Sequence, residues 1–223
     1  MARHTYSRVD HASIRVLADM LTYRRPHRSS TEEAFIKAYI LPTGAQPDAY
    51  GNLWLTVGSL TPTTLFSSHT DTVHRTPGRQ RVTVTDDTTL RLARRLGRAS
   101  NCLGADDTVG VWLMLDMIHA GIPGLYVFHR GEEHGCIGSR AIAKTTPERL
   151  DGITHAIAFD RGGIADVITH QMGSRTASDA FATDLAGRLN CAADGRLSLA
   201  PCDQGVYTDT ESYAETIPEC TNL

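Results

Sequence analysis

Lysine is almost missing from this chain: Lys37 and Lys144 are its only two, so arginine supplies nearly all of the 22 basic residues set against 25 acidic ones. A formal net charge of -3 gives no general drive towards nucleic acid or an anionic membrane surface. The short basic clusters Arg24-Arg25 and Arg94-Arg95 are therefore expected to be solvated faces. Cysteine is sparse, and the five present, Cys102, Cys136, Cys191, Cys202 and Cys220, are odd in number and form no C-x-x-C pair. That argues against a disulfide framework and against a thiolate zinc site, and it favours a reducing interior. No apolar run approaches the ~18 residues that span a bilayer, and Met1 to Arg8 lead into an amphipathic pattern instead of a signal peptide. A cytoplasmic protein without a membrane partner is the expectation. Internal repeats, low-complexity tracts and long linkers are also lacking, so residues 1–223 are expected to form a single domain.

What is present is an alternation of strand and helix signals. Ile14, Val16, Leu17, Met20 and Leu21 recur at helical spacing, and Ser30-Thr-Glu-Glu33 has the form of a capping box for a second helix that Pro42 stops. Leu53 to Val57 and Thr63 to Ser68 read as strands, and Arg81 to Thr85 with Leu90 to Leu92 as a hairpin around Asp86-Asp-Thr88. A helix from Asp106 through Ile118 to Gly121 is apolar almost all round and predicts burial. The strand Leu125 to Phe128 follows, then a helix through Ser139 to Lys144, a strand His155 to Phe159, another at Ala165 to Thr169, and a helix from Ser178 to Leu189. The expected fold is α/β: a mixed, largely parallel, twisted sheet with helices on both faces.

Four clusters of acid and imidazole take equivalent places in this pattern: His69 with Asp71, Asp106 with Asp107, Glu132 with Glu133, and Asp160. Three follow a strand directly and the fourth opens a helix, which brings all four to the carboxyl edge of one sheet, where open α/β folds bind ligands. Imidazole and carboxylate donors without thiolate suit Zn2+, and two such ions can share a bridging carboxylate at about 3.5–4 Å. Neighbours in an extended segment point opposite ways, so Glu132 is expected to move protons while Glu133 holds metal. Asp71, two residues after His69, is expected to fix the imidazole in its ligating tautomer. Taken singly each cluster has an ordinary explanation, such as a helix cap or a solvated face. The histidines at 4, 11, 27, 74, 119 and 155 read as surface or structural residues.

Ser68-His-Thr-Asp-Thr-Val73, Gly104-Ala-Asp-Asp-Thr-Val-Gly110, Gly131-Glu-Glu-His-Gly-Cys-Ile-Gly-Ser139 and Phe159-Asp-Arg161 resemble, in order and spacing, the co-catalytic di-zinc metallopeptidases. These include zinc aminopeptidases, glutamate carboxypeptidases and acyl-amino-acid deacetylases. The resemblance is strong over roughly residues 48 to 163. It implies that His69 and Asp160 bind one zinc, Asp106 bridges, Glu133 binds the second, Glu132 is the general base and Asp71 orients His69. It also implies a cis peptide after the bridging aspartate, and a last histidine ligand near the C-terminus. Here the last histidine is His170 and the chain stops at Leu223, so either the chain ends short of that ligand or another group replaces it. With 47 residues between Asp160 and Thr208, the chain looks like the lidless aminopeptidase type. The activity so implied is exopeptidase, with a peptide substrate and metal-activated water. The alternatives are an N-acyl-amino-acid amidohydrolase with an acylated amino-acid substrate, and a truncated, inactive binding relative.

Overall fold

A computed structural model describes residues 11–58, 61–85, 89–93 and 100–223. Its central sheet has six strands: β1 (Gln46–Pro47), β2 (Leu53–Val57), β3 (Thr64–His69), β4 (Gly124–His129), β5 (His155–Ala158) and β6 (Glu219–Asn222). Their spatial order is β6-β5-β3-β4-β2-β1. The β6-β5, β5-β3 and β3-β4 pairs are parallel, while β4-β2 and β2-β1 are antiparallel. This is the mixed, largely parallel sheet that the alternating pattern predicts. All six residues of β4 are buried, as a strand covered on both faces requires.

Side chains alternate along β4 and divide the core. Tyr126 and Phe128 join Met20, Phe35, Ile40, Val111 and Met114 on one face, under helices α1 (His11–Met20), α2 (Ser30–Phe35) and α3 (Ala105–His119). Leu125 and Val127 join Leu65, Ile142, Leu150, Tyr213 and Ile217 on the other, under α4 (Ile137–Thr145). A further helix, α5 (Asp179–Ala192), packs Ala182 and Ala186 against Val167 in the parallel pair Asp166–Ile168 and Ala200–Cys202. Truncating Phe128 to alanine at this junction should cost about 3–5 kcal/mol, mostly through the cavity left behind.

Several local expectations need correction. The cap of α2 is Ser29, whose side chain accepts from Glu32 N, one residue before the predicted capping box. The helix does not simply stop at Pro42; it continues through a π-helical turn, Ile36–Ile40, and a 3-10 turn, Leu41–Thr43, to left-handed Gly44. Only one side of α3 is buried, through Asp107, Thr108, Gly110, Val111, Met114 and Leu115, while Val109 is 41% exposed. It is a covering helix and not a wholly interior one. The hairpin pairs Val82–Thr85 with Thr89–Leu92, and its tip lies outside the described residues, as do Arg94 and Arg95. Arg25 is fully buried, contrary to the expected solvated face.

Candidate metal centre

The parallel register of β3 and β4 sets His69 opposite His129, so the chain leaving each strand runs side by side across the sheet edge. Asp71 then reaches the start of the acidic turn: its Oδ1 accepts from Gly131 N at 3.0 Å and Glu132 N at 3.2 Å. Glu132 and Glu133 do not lie in an extended segment. They form a 3-10 turn, Glu132–His134, between left-handed Gly131 and Gly135, because two positive-φ glycines curl the chain as it leaves β4. A β-carbon at Gly110 would meet Phe159 O at 2.5 Å, so glycine there lets the start of α3 approach the end of β5.

His69, 1% exposed, is the hub. Its Nε2 lies 2.9 Å from Asp106 Oδ1, 3.7 Å from Asp160 Oδ1 and 3.9 Å from Glu132 Oε2. Its Nδ1 is 3.1 Å from the Asp71 carbonyl and 3.5 Å from Asp71 Oδ1. Asp107 turns inward, accepting from His69 N through Oδ2 and from Gly110 N through Oδ1, and so ties strand β3 to the first turn of α3. The peptide bond between Asp106 and Asp107 is cis. Asp160 is braced by residues the sequence did not single out for a role. Thr208 donates to its Oδ2 at 2.6 Å, and Asn222 both accepts from its N–H and donates to its carbonyl.

Charge is the dominant property of this edge. Burial lowers the His69 pKa, but hydrogen bonds to Asp106, Asp160 and Asp71 outweigh it and hold the imidazole well above its usual range. Burial pushes Glu132 up to about 8, His69 opposes, and repulsion from Asp209, Asp160 and Glu133 adds to the rise. Glu133 is raised to about 7 by burial and by Asp106, Asp71 and Asp160, with His69 again opposing. Burial and Asp160 likewise raise Asp107 well above an ordinary aspartate. One imidazole does not neutralise so many carboxylates.

The donors fit a divalent cation. Two groups of three, His69 with Asp106 and Glu133 and His69 with Glu132 and Asp160, keep their donor atoms within 4.8 Å of one another. Glu133 Oε1 is buried without a hydrogen-bond partner among the described residues. Mixed nitrogen and oxygen donors suit borderline to hard ions. All six predicted site residues, His69, Asp71, Asp106, Glu132, Glu133 and Asp160, therefore meet at one place. Asp106 is its open side, 66% exposed, and a cleft of about 280 Å³ spreads from it between Arg161, Ile168, Val206, Tyr207 and Asn222. His170 stands apart: its Nδ1 lies 3.0 Å from Thr169 Oγ1, and it enters none of these donor groups.

Two further buried groups carry the site without touching the cleft. Asp209 accepts from Ser139 Oγ at 2.6 Å, and His129, fully buried, faces Tyr213 Oη at 2.6 Å and Ser67 Oγ at 3.1 Å. His129 is thus a framework residue. Arg25 donates through Nε to Thr70 O at 2.7 Å and through Nη2 to Thr108 Oγ1 at 2.8 Å, clamping the His69 segment to the Asp106 segment. Polar side chains on framework segments look alike in a linear reading, and nothing in the sequence marked these for the site.

No protein-family profile matches this chain, and no curated protein matches it in sequence. Solved structures share its fold. A tripeptidase from Staphylococcus aureus superimposes with a TM-score of 0.57 at 22% identity, over 74% of this chain and 48% of that one. The Pyrococcus horikoshii TET1 peptidase gives 0.59 at 15% identity, over 95% and 89%. An aminopeptidase from the archaeon Desulfurococcus kamchatkensis gives 0.62 at 12%, over 95% and 86%. This chain spans about half the length of the staphylococcal tripeptidase and most of the two archaeal proteins. At these identities the likeness establishes the fold.

Proposed function

We propose that the chain is a zinc-dependent exopeptidase, an aminopeptidase hydrolysing a terminal amide. The observation that carries the reading is His69 Nε2 within 4.0 Å of Asp106, Glu132 and Asp160 at the open sheet edge. Structures with the same fold are named as a tripeptidase and aminopeptidases, which supports it. In this reading His69, Asp106, Glu133 and Asp160 hold the metal, and bound zinc supplies Lewis acidity towards the scissile carbonyl and towards water. Glu132 takes the proton of the attacking water and delivers it to the departing amine. The carboxylate acts as base in the first transfer, and the proton it has taken makes it the acid for the second. Asp71 does not touch substrate; it orients His69 and, through the N–H groups of Gly131 and Glu132, the turn that carries the base.

The cleft favours an aminopeptidase over a deacylase acting on N-acyl amino acids. Among the described residues lining the cleft the one guanidinium, Arg161, is held by Asp166 at 2.7 Å, so a substrate carboxylate meets no unpaired cation there. The reading extends to a single catalytic domain without an inserted lid, the 47 residues between Asp160 and Thr208 holding only short strands and α5. All five cysteines are free thiols, which suits the cytoplasm, and no described helix is long and apolar enough to cross a membrane. The test is a panel of aminoacyl and N-acetylated substrates offered to the zinc-loaded chain. Hydrolysis confined to substrates with a free α-amine is the expected outcome; hydrolysis of acylated substrates alone, or of neither class, contradicts it.

A further inference from the structure

Behind Asp71, on the side away from His69, a second set of donors converges. His27, Glu32 and Asp71 keep their donor atoms within 4.8 Å of one another. His134 stands beside them, its Nδ1 3.7 Å from Asp71 Oδ2 and its ring centroid 5.2 Å from that of His27. Gly131 makes room for this arrangement, since a β-carbon there would stand 2.8 Å from His27 Cε1. Asp71 is 0% exposed, and its Oδ2 has no hydrogen-bond partner among the described residues. Both ring nitrogens of His27 are buried and equally without a partner there. Leaving one buried polar group unsatisfied costs about 1–3 kcal/mol, and more for a charged one. Asp71 Oδ2 and one His27 ring nitrogen can be met by one shared ion, since an imidazole turns a single nitrogen to it.

The geometry points to a second divalent-cation site of the zinc class, formed by His27, His134 and Asp71. Two imidazoles and a carboxylate are an ordinary zinc donor set. Glu32 is a poorer fourth ligand because Arg130 already engages it, Nε to Oε1 at 2.8 Å and Nη2 to Oε2 at 3.0 Å. The surroundings do not bar a cation: Asp71, Glu32 and Glu33 balance the guanidiniums near them, Arg25, Arg28 and Arg130, and Glu33 takes up part of the Arg130 charge at 2.6 Å. The His134 side chain is 55% exposed, so an ion has a path in from solvent. This site goes beyond the proposed hydrolysis and needs neither Glu132 nor Glu133. It shares only Asp71 with the catalytic edge, so an ion there would hold the carboxylate that orients His69.

The test removes the first site and asks for the second. Chelator-stripped full-length His69→Ala protein is titrated with zinc, with and without His27→Ala added. One zinc equivalent in the single variant, weakened on the order of tenfold or more by His27→Ala, is the expected result. Zinc binding indifferent to His27→Ala overturns the proposal. A second measurement on the unaltered protein covers the case in which the variants do not fold. Diethyl pyrocarbonate labelling of His27 and His134, read by mass spectrometry, should fall several-fold for both when zinc is added; equal labelling with and without zinc overturns the site. Hydrolysis enters neither readout, so a chain that cleaves peptides yet shows no His27-dependent zinc loses this inference alone.

Discussion

The two sides of Asp71 are built on opposite principles. In front, Asp106, Glu132 and Asp160 crowd a single imidazole at 2.9, 3.9 and 3.7 Å, and Glu133 keeps a buried oxygen without a partner among the described residues. Behind, carboxylates have guanidiniums of their own: Glu32 and Glu33 grip Arg130, and Thr70 donates to Glu32 at 2.6 Å. Fully buried Arg25 stacks 3.8 Å from the centre of the Phe35 ring. Acid on the back is paired as it folds, except Asp71 Oδ2, which faces the second set of donors. Acid on the front is in excess, and excess buried charge is retained where a cation or a proton is to be handled. The same residue types thus do different work according to whether a permanent positive charge is packed beside them.

Substitutions can break this contrast or sharpen it. The largest effect expected is on the front: Glu132→Gln should lower hydrolysis by roughly 10²–10⁴-fold while the bound zinc, counted by elemental analysis, stays the same. Equal loss of metal in Glu132→Gln and Glu133→Gln would merge the two roles. On the back, Arg25→Met removes a buried positive charge near Glu32, Asp107 and Asp71 and releases the clamp on Thr70 and Thr108. It should cost about 3–5 kcal/mol in urea unfolding. A smaller loss, about 1–3 kcal/mol, is expected for Ser139→Ala, which takes the hydroxyl from buried Asp209; calorimetric unfolding reads it. Glu33→Gln should be smallest, under about 1 kcal/mol, because the Glu33 side chain is 60% exposed and its pair with Arg130 is screened by solvent. A Glu33 effect as large as that of Arg25 would mean that the back is not held by buried pairing.

Much of the front was legible in the sequence, and little of the back. His69, Asp106, Glu132 and Asp160 follow strands or open a helix, so a one-dimensional pattern already brings them to one edge. The posture of Glu132 and Glu133 was not legible, since the extended reading ignored how Gly131 and Gly135 curl the chain into a 3-10 turn. Strand β6 escaped notice because Glu219-Cys-Thr-Asn222 is short and mostly polar, with Thr221 its single β-branched residue. It is held by pairing with β5 and by Thr221 Oγ1 donating to Ile168 O at 2.7 Å. Arg25 was read as part of a solvated face and His27 as a surface or structural residue, and nothing in their neighbours along the chain says more. Their partners, Thr70, Thr108 and Asp71, lie more than forty positions away and meet them only in the folded chain.

The contrast rests on the front being made for a metal, and one measurement reaches that directly: the thermal unfolding midpoint of chelator-stripped protein with and without zinc, in the unaltered chain and in His69→Ala. An ion that binds only the native state at a hundred times its Kd adds about 2.7 kcal/mol. The account predicts a clear rise with zinc that His69→Ala reduces. A midpoint that zinc does not move, or a rise undiminished by His69→Ala, would contradict it.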